Sequence, residues 1–143
     1  MHTIERIALV EHSAEQMFDL VNDIEQYPRF MPGCVEARII SATADEMVGE
    51  LCLARAGIRQ RFTTRNRLVR PQSITMSLVE GDFSQFSARW EFTSLGAAAC
   101  KVTFTMEFAF KSRLLGFAAT KLFANVAGEQ MDAVVRRAGE LYG

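Results

Sequence analysis

The amino-acid sequence predicts an α+β fold in which one curved antiparallel sheet carries helices on one side. Three observations point there. Between residues 33 and 110, short runs alternate apolar and polar side chains, the period of strands with a single buried face. A capped helical stripe precedes this region, and a long helical segment follows it. The order of elements is thus strand, helix, short turn, about six strands and a long final helix.

The first strand is ERIALV at 5–10. SAEQ at 13–16 then has the form of a capping box, with Ser13 accepting from the amide of Gln16 and Gln16 reaching back to Ser13. Met17, Val21 and Ile24 follow at helical spacing, and Pro28 should stop the helix near Tyr27. YPRFMPG at 27–33 is a compact turn or single helical turn with three large apolar side chains.

VEARII and MVGELCLA are strand-like, though their faces are not cleanly separated. In IRQRFTTRNRLV, Ile58, Phe62 and Leu68 share one parity and Arg59, Arg61, Arg65 and Arg67 the other. SITMSLV places Ile74, Met76 and Leu78 together. FSARWEFTS sets Phe86, Ala88, Trp90 and Phe92 against polar neighbours, and KVTFTMEFAF does the same with Val102, Phe104, Met106, Phe108 and Phe110. Pro71-Gln72, Gly81-Asp82 and Gly96 mark turns.

A chain of 143 residues suits a single domain, 1–143, large enough to bury a core. Charged residues make up 23% and the net charge is −1, a balance that does not mark a nucleic-acid binder or a membrane-coating protein. With no run of 18 apolar residues and no leader-like start, the expectation is a cytoplasmic protein. Cys34, Cys52 and Cys100 are odd in number and widely spaced, so reduced structural cysteines are expected, with no metal site.

The final helix, capped at Ser112 and running to about Leu141, changes character along its length. In its second half Ala127, Met131, Val134, Val135, Ala138, Leu141 and Tyr142 share one side, opposite Glu129, Asp132, Arg136 and Glu140. In its first half Phe117, Phe123 and Ala124 continue the docked face. Leu114, Leu115, Leu122 and Val126 fall on the other side, so this half is apolar nearly all round. Such a segment needs apolar neighbours on both sides. Cover by the 26–32 turn, a ligand cavity or portal, and a contact face for a membrane or partner each satisfy that need.

The order of elements resembles the helix-grip, START-like (polyketide cyclase/lipid transport) superfamily. ALVEHSAEQMFDLVNDIEQYPRFMPGC, FTTRNRLV, LVEGDFSQFSARWEF and the C-terminal FKSRLLGFAATKLFANVAGEQMDAVVRRAGELYG resemble the bacterial RatA-type proteins and the coenzyme Q-binding START proteins. One departure is Gly81-Asp82-Phe83, where the family commonly has Gly-Pro-Phe. The resemblance implies a seven-stranded antiparallel sheet wrapped around the C-terminal helix, with a deep apolar cavity between them. In that cavity the lining is expected from Phe30, Met31, Phe62, Met76, Phe86, Trp90, Phe104, Met106, Phe108, Leu115, Leu122, Phe123 and Val126. It also implies two roles. One is binding ubiquinone or a similar isoprenoid lipid in support of respiration, with transient contact at the inner membrane. The other is that of a toxin in a toxin–antitoxin pair that binds the large ribosomal subunit and blocks its joining to the small one.

Residue chemistry bears on both. Arg29, Arg55, Asn66 and Asn125 are candidates to hold a quinone head. Arg59, Arg61, Arg65 and Arg67 form a basic stripe that could meet RNA phosphates, or a solvated face balanced by Glu15, Asp19, Asp23 and Glu25 of the first helix. No aromatic residues interleave with the stripe. Nucleophile–base pairs, metal-ligand clusters and Gly-rich phosphate loops are missing from the sequence, so no enzyme activity is expected.

Overall fold

The computed structural model describes residues 2–112 and 116–143. Its seven strands are β1 (His2–Val10), β2 (Cys34–Ala42), β3 (Glu46–Arg55), β4 (Ile58–Val69), β5 (Ser73–Glu80), β6 (Phe83–Ser94) and β7 (Cys100–Phe110). They form one antiparallel sheet in the order β1-β7-β6-β5-β4-β3-β2. Every pair from β2 to β7 is a sequential hairpin, and β1 closes the far edge against β7. Register follows the alternation: Trp90 of β6 sits between Ile74 of β5 and Phe104 of β7, all three buried on the inner face.

Edge strand β2 is largely exposed but carries two register shifts, at Cys34/Glu36 and Ile39/Ser41. The amide of Ile39 donates to a Glu25 carboxylate oxygen at 3.4 Å. Bulges and a borrowed acceptor both make this edge a poor template for another chain.

Helix α1 (Ala14–Asn22) opens with the expected capping box. The Gln16 amide donates to Ser13 Oγ at 3.1 Å, and the Ser13 amide donates to Gln16 Oε1 at 3.0 Å. It ends five residues before Tyr27, because Ile24–Arg29 tightens into a 3-10 turn around Pro28. Gly49 of β3 makes room for that turn: a Cβ there would collide with Ile24 Cδ1.

The single long C-terminal helix expected from sequence is two helices, α2 (Gly116–Gly128) and α3 (Gln130–Tyr142). At the junction the Glu129 amide is shared between the carbonyls of Asn125 and Val126, at 3.2 and 3.1 Å. Two side chains from the sheet meet the chain here. Arg55 holds Glu129 through two hydrogen bonds of 3.1 and 2.8 Å, and Arg6 Nη2 would lie 2.9 Å from any Cβ at position 128. The cap expected at Ser112 would join residues 113–115, which lie outside the described residues.

The core fills the space between the inner sheet face and the helices. Ala119, Phe123, Val126, Ala127, Met131, Val134 and Ala138 are all buried along one stripe. Phe123 stands among Phe62, Phe83, Phe108 and Phe110, with ring centroids 6.0, 5.3, 4.7 and 5.7 Å away. Such edge-to-face pairs add to the burial term. Phe117 departs from the expected docked face: it is 87% exposed, and Leu141 and Tyr142 are also exposed at the other end. The stripe turns away from Phe117 because α2 leans on the sheet through Ala119 and Phe123.

Candidate functional site

Three small voids lie in a row between sheet and helices. The outermost is bordered by Leu53, Arg55, Ile58, Ala119, Leu122, Phe123 and Val126 and opens to the surface beside Leu122. The central one lies under Leu53, Phe62, Met76, Phe86, Trp90, Phe104, Met106 and Phe123. The innermost is bordered by Asn22, Tyr27, Leu51, Thr64, Asn66, Met76 and Trp90. Leu53 and Phe123 are shared by the first pair, and Tyr27, Leu51, Met76 and Trp90 by the second. Their volumes are about 20, 30 and 20 Å³. Each has room for one or two waters, whereas a drug-sized ligand fills about 300 Å³ or more. The hollow is therefore closed around its own side chains, and a guest has to push Met76, Met106, Phe86 and Leu122 aside. Met76, Phe86 and Leu122 are half-buried and Met106 is buried, and the two methionines adapt at little cost.

Of the thirteen residues expected to line a cavity, Phe62, Met76, Phe86, Trp90, Phe104, Met106, Leu122, Phe123 and Val126 border this row. Phe30 does not. Its ring meets Tyr27 at 5.7 Å and lies under the Arg137 guanidinium at 5.4 Å, facing an outer groove between α1 and α3. The turn leaves Phe30 on the far side of Tyr27, so Tyr27 takes the inward place. Met31 and Phe108 are solid core, 3% and 0% exposed, and border none of the three voids. Leu115 lies outside the described residues.

The polar groups at the hollow are few. Among the described residues, Tyr27 is the one ionisable side chain bordering the central and innermost voids. Its hydroxyl donates to the Val21 carbonyl, and burial pushes its pKa well above the ordinary tyrosine value, helped by Cys34 and Asp23. A phenol tied in this way is a poor acid–base catalyst. Thr64 Oγ1 donates to Asn66 Oδ1 at 2.7 Å, and Asn66 is only 4% exposed. Of the four candidates for a quinone head, Asn66 alone reaches the interior. Arg55 stands at the outer void, held by Glu129, which raises the Arg55 pKa while its own falls. Arg29 and Asn125 are exposed.

The arginine stripe lies on the outer sheet face, but it is not bare. Arg61 bridges Glu36 at 2.6 Å and Glu50 at 2.9 Å, Arg59 reaches Glu36 at 3.4 Å, and Arg65 meets Glu46 at 3.1 Å. The balancing acids thus come from β2 and β3 rather than from α1, whose Asp19 pairs instead with Arg70 at 2.8 Å. Cross-strand neighbours are closer than any helix can be to a face pointing away from it. Hydrogen bonds from Arg61 and Arg38 hold the Glu36 and Glu50 carboxyls, respectively, below the usual range. Cys34, Cys52 and Cys100 are free and buried, as expected, and burial beside Cys52 pushes the Cys34 thiol up to about 11.

Asn22, Tyr27, Leu51 and Leu53 also line the voids, although the sequence pattern does not single them out. For Leu51 and Leu53 the signal was present in their shared parity with Met47 on β3. For Asn22 no local signal exists, because its place follows from where α1 ends.

A family model described as polyketide cyclase / dehydrase and lipid transport matches residues 10–135. The ribosome association toxin RatA of Escherichia coli (strain K12) is 42% identical over 142 residues, covering 99% of this chain and 90% of that protein. The mitochondrial coenzyme Q-binding protein COQ10 homolog B of Xenopus laevis is 26% identical, covering 92% of this chain and 55% of that protein. In solution structure, an 18 kDa protein from Caulobacter crescentus is similar with a TM-score of 0.77 at 30% identity, covering 100% and 99% of the two chains. The seven-stranded sheet closed over a C-terminal helix, its inner row of voids and these matches together make the chain a member of the START-like polyketide cyclase and lipid transport family.

Proposed function

We propose that this protein is a non-enzymatic carrier of an apolar molecule, most simply ubiquinone or a similar isoprenoid lipid, taken up between the sheet and α2 in support of respiratory electron transport. The observation that carries this reading is the row of voids leading inward from Leu122, walled by apolar and flexible side chains. Burial of an isoprenoid tail contributes about 25 cal/mol per Å², less the cost of parting the side chains that now fill the hollow. Phe117, 87% exposed on the same helix as Leu122, gives a foothold for transient contact with a membrane. No described helix is long and apolar enough to cross one. The site of action in this proposal is the cytoplasm, beside the inner membrane. The test is organic extraction of the purified protein followed by mass spectrometry, with uptake of added ubiquinone. A protein that is empty and takes up none defeats the proposal.

A second reading has its own support. Relatives 42% identical over almost the whole chain are named as ribosome association toxins. In this reading the chain binds the large ribosomal subunit, blocks its joining to the small one, and is restrained by an antitoxin protein. The outer sheet face around Arg59, Arg61, Arg65 and Arg67 is the surface we assign to that contact. Its carboxylate partners lower its net charge, so shape and exchangeable ion pairs carry more of the binding than bulk attraction. Sedimentation of lysate at low and moderate salt tests it, and a protein that stays at the top of the gradient at low salt overturns it.

A further inference from the structure

The inner end of the hollow has an unspent hydrogen-bonding pair. Asn22 Oδ1 is buried and accepts no hydrogen bond from any described residue. Asn66 spends its Oδ1 on the Thr64 hydroxyl at 2.7 Å, and among the described residues its Nδ2 meets only the thioether of Met47 at 3.8 Å. Sulfur of this kind is a weak acceptor, so the Asn66 amide has donor capacity to spare. Both side chains border the void that shares no lining residue with the one beside Leu122 and joins it only through the central void. A buried acceptor left without a donor costs free energy, and a core has no structural need to keep one.

From this we infer that the hollow receives its guest head first, and that Asn22 and Asn66 recognise a ring that both donates and accepts a hydrogen bond, so that the reduced, hydroquinone form is preferred over the quinone. A quinone has only acceptors: one oxygen can take the Asn66 amide, but with the Asn22 amide oriented as it is here nothing on the quinone can satisfy Asn22 Oδ1. A hydroquinone hydroxyl donates to Asn22, while an oxygen of the same ring accepts from Asn66. The apolar tail then runs out past Phe123 and Leu122. This inference rests on the carrier reading above and deepens it. It leaves the protein holding the electron-rich form, which suits delivery to a reaction that oxidises a hydroquinone.

The penalty for a buried unpaired acceptor is worth about tenfold or more in affinity. A tenfold preference for the reduced form also raises the two-electron potential of the bound couple by about 30 mV. The test is anaerobic calorimetric titration of the full chain with a decyl-tailed benzoquinone and with its hydroquinone. The hydroquinone should bind at least tenfold tighter. Asn22→Leu should bring the two affinities together, mainly by weakening the hydroquinone, and should fold normally because it removes an unsatisfied group. Asn66→Leu should weaken both forms. Equal binding of the two forms by the native protein overturns the inference and leaves the carrier reading standing. A preference that survives in Asn22→Leu overturns the assignment to Asn22. Binding of neither form, by a protein whose melting shows it folded, overturns the carrier reading and this inference with it.

Discussion

Phe123→Ala is the substitution that best separates packing from ligand entry. The ring is 5% exposed, touches four other phenylalanine rings and divides the outer void from the central one. Truncating a buried Phe costs about 3–5 kcal/mol, the spread reflecting how far the site can collapse. Here Met76 and Met106 border the same space and can relax into it, so about 3 kcal/mol is expected. For 143 residues the unfolding entropy is about 0.3 kcal/mol/K, which converts that loss into a Tm lower by about 10 °C. The merged space should also admit a guest more readily. A decyl-tailed quinone at 100 times its Kd should restore about 2.7 kcal/mol, or about 9 °C. Thermal melts followed by circular dichroism, with and without that compound, read both effects. A Tm within about 3 °C of the native protein refutes the packing account. A destabilised variant that gains nothing from the compound refutes the route past Phe123.

Four further outcomes are expected. Ser13→Ala removes one half of the capping box and should cost about 1 kcal/mol, seen as a Tm lower by about 3 °C. Reversal of Arg61 and Arg65 to Glu breaks exposed pairs with Glu36, Glu50 and Glu46, each worth about 0.2–1 kcal/mol, so the fold should persist. Co-sedimentation with ribosomes should then fall while quinone uptake stays unchanged, and loss of both from a folded variant contradicts the use of two surfaces. Glu36 and Glu50 have lowered folded pKa values, so their stabilisation is present above about pH 4.3 and lost as pH falls through the lower folded values. Calorimetric Tm should be level from neutral to mildly acid pH and drop below about pH 4. Phe117→Ser should leave stability within about 0.5 kcal/mol, since the ring is exposed, yet slow transfer of quinone from lipid vesicles.

The order of elements was legible in the chain because it depends on local chemistry. Alternation over 58–69 gave β4 its limits to the residue, and Ser13 with Gln16 gave α1 its start. Alternation also separated the inner aromatic face from the outer arginines, since a side-chain period of two assigns faces without knowing any partner. The seven-stranded closure came from family resemblance rather than from these patterns.

Other features depend on which distant residues meet, and these only the tertiary structure decided. The bend at Glu129 falls where Arg55, 74 positions away, grips it. Sequence put Phe30 inside the hollow, and the 3-10 turn put Tyr27 there instead. Along the chain the acids of the first helix offered the balance for the arginine stripe, yet its partners lie on the neighbouring strands β2 and β3. Nor could any window of sequence show that Asn22 and Asn66 border one void, because α1 and β4 are brought together only when the sheet closes. Periodicity is a property of one segment, whereas a cavity and its polar end are properties of several segments at once.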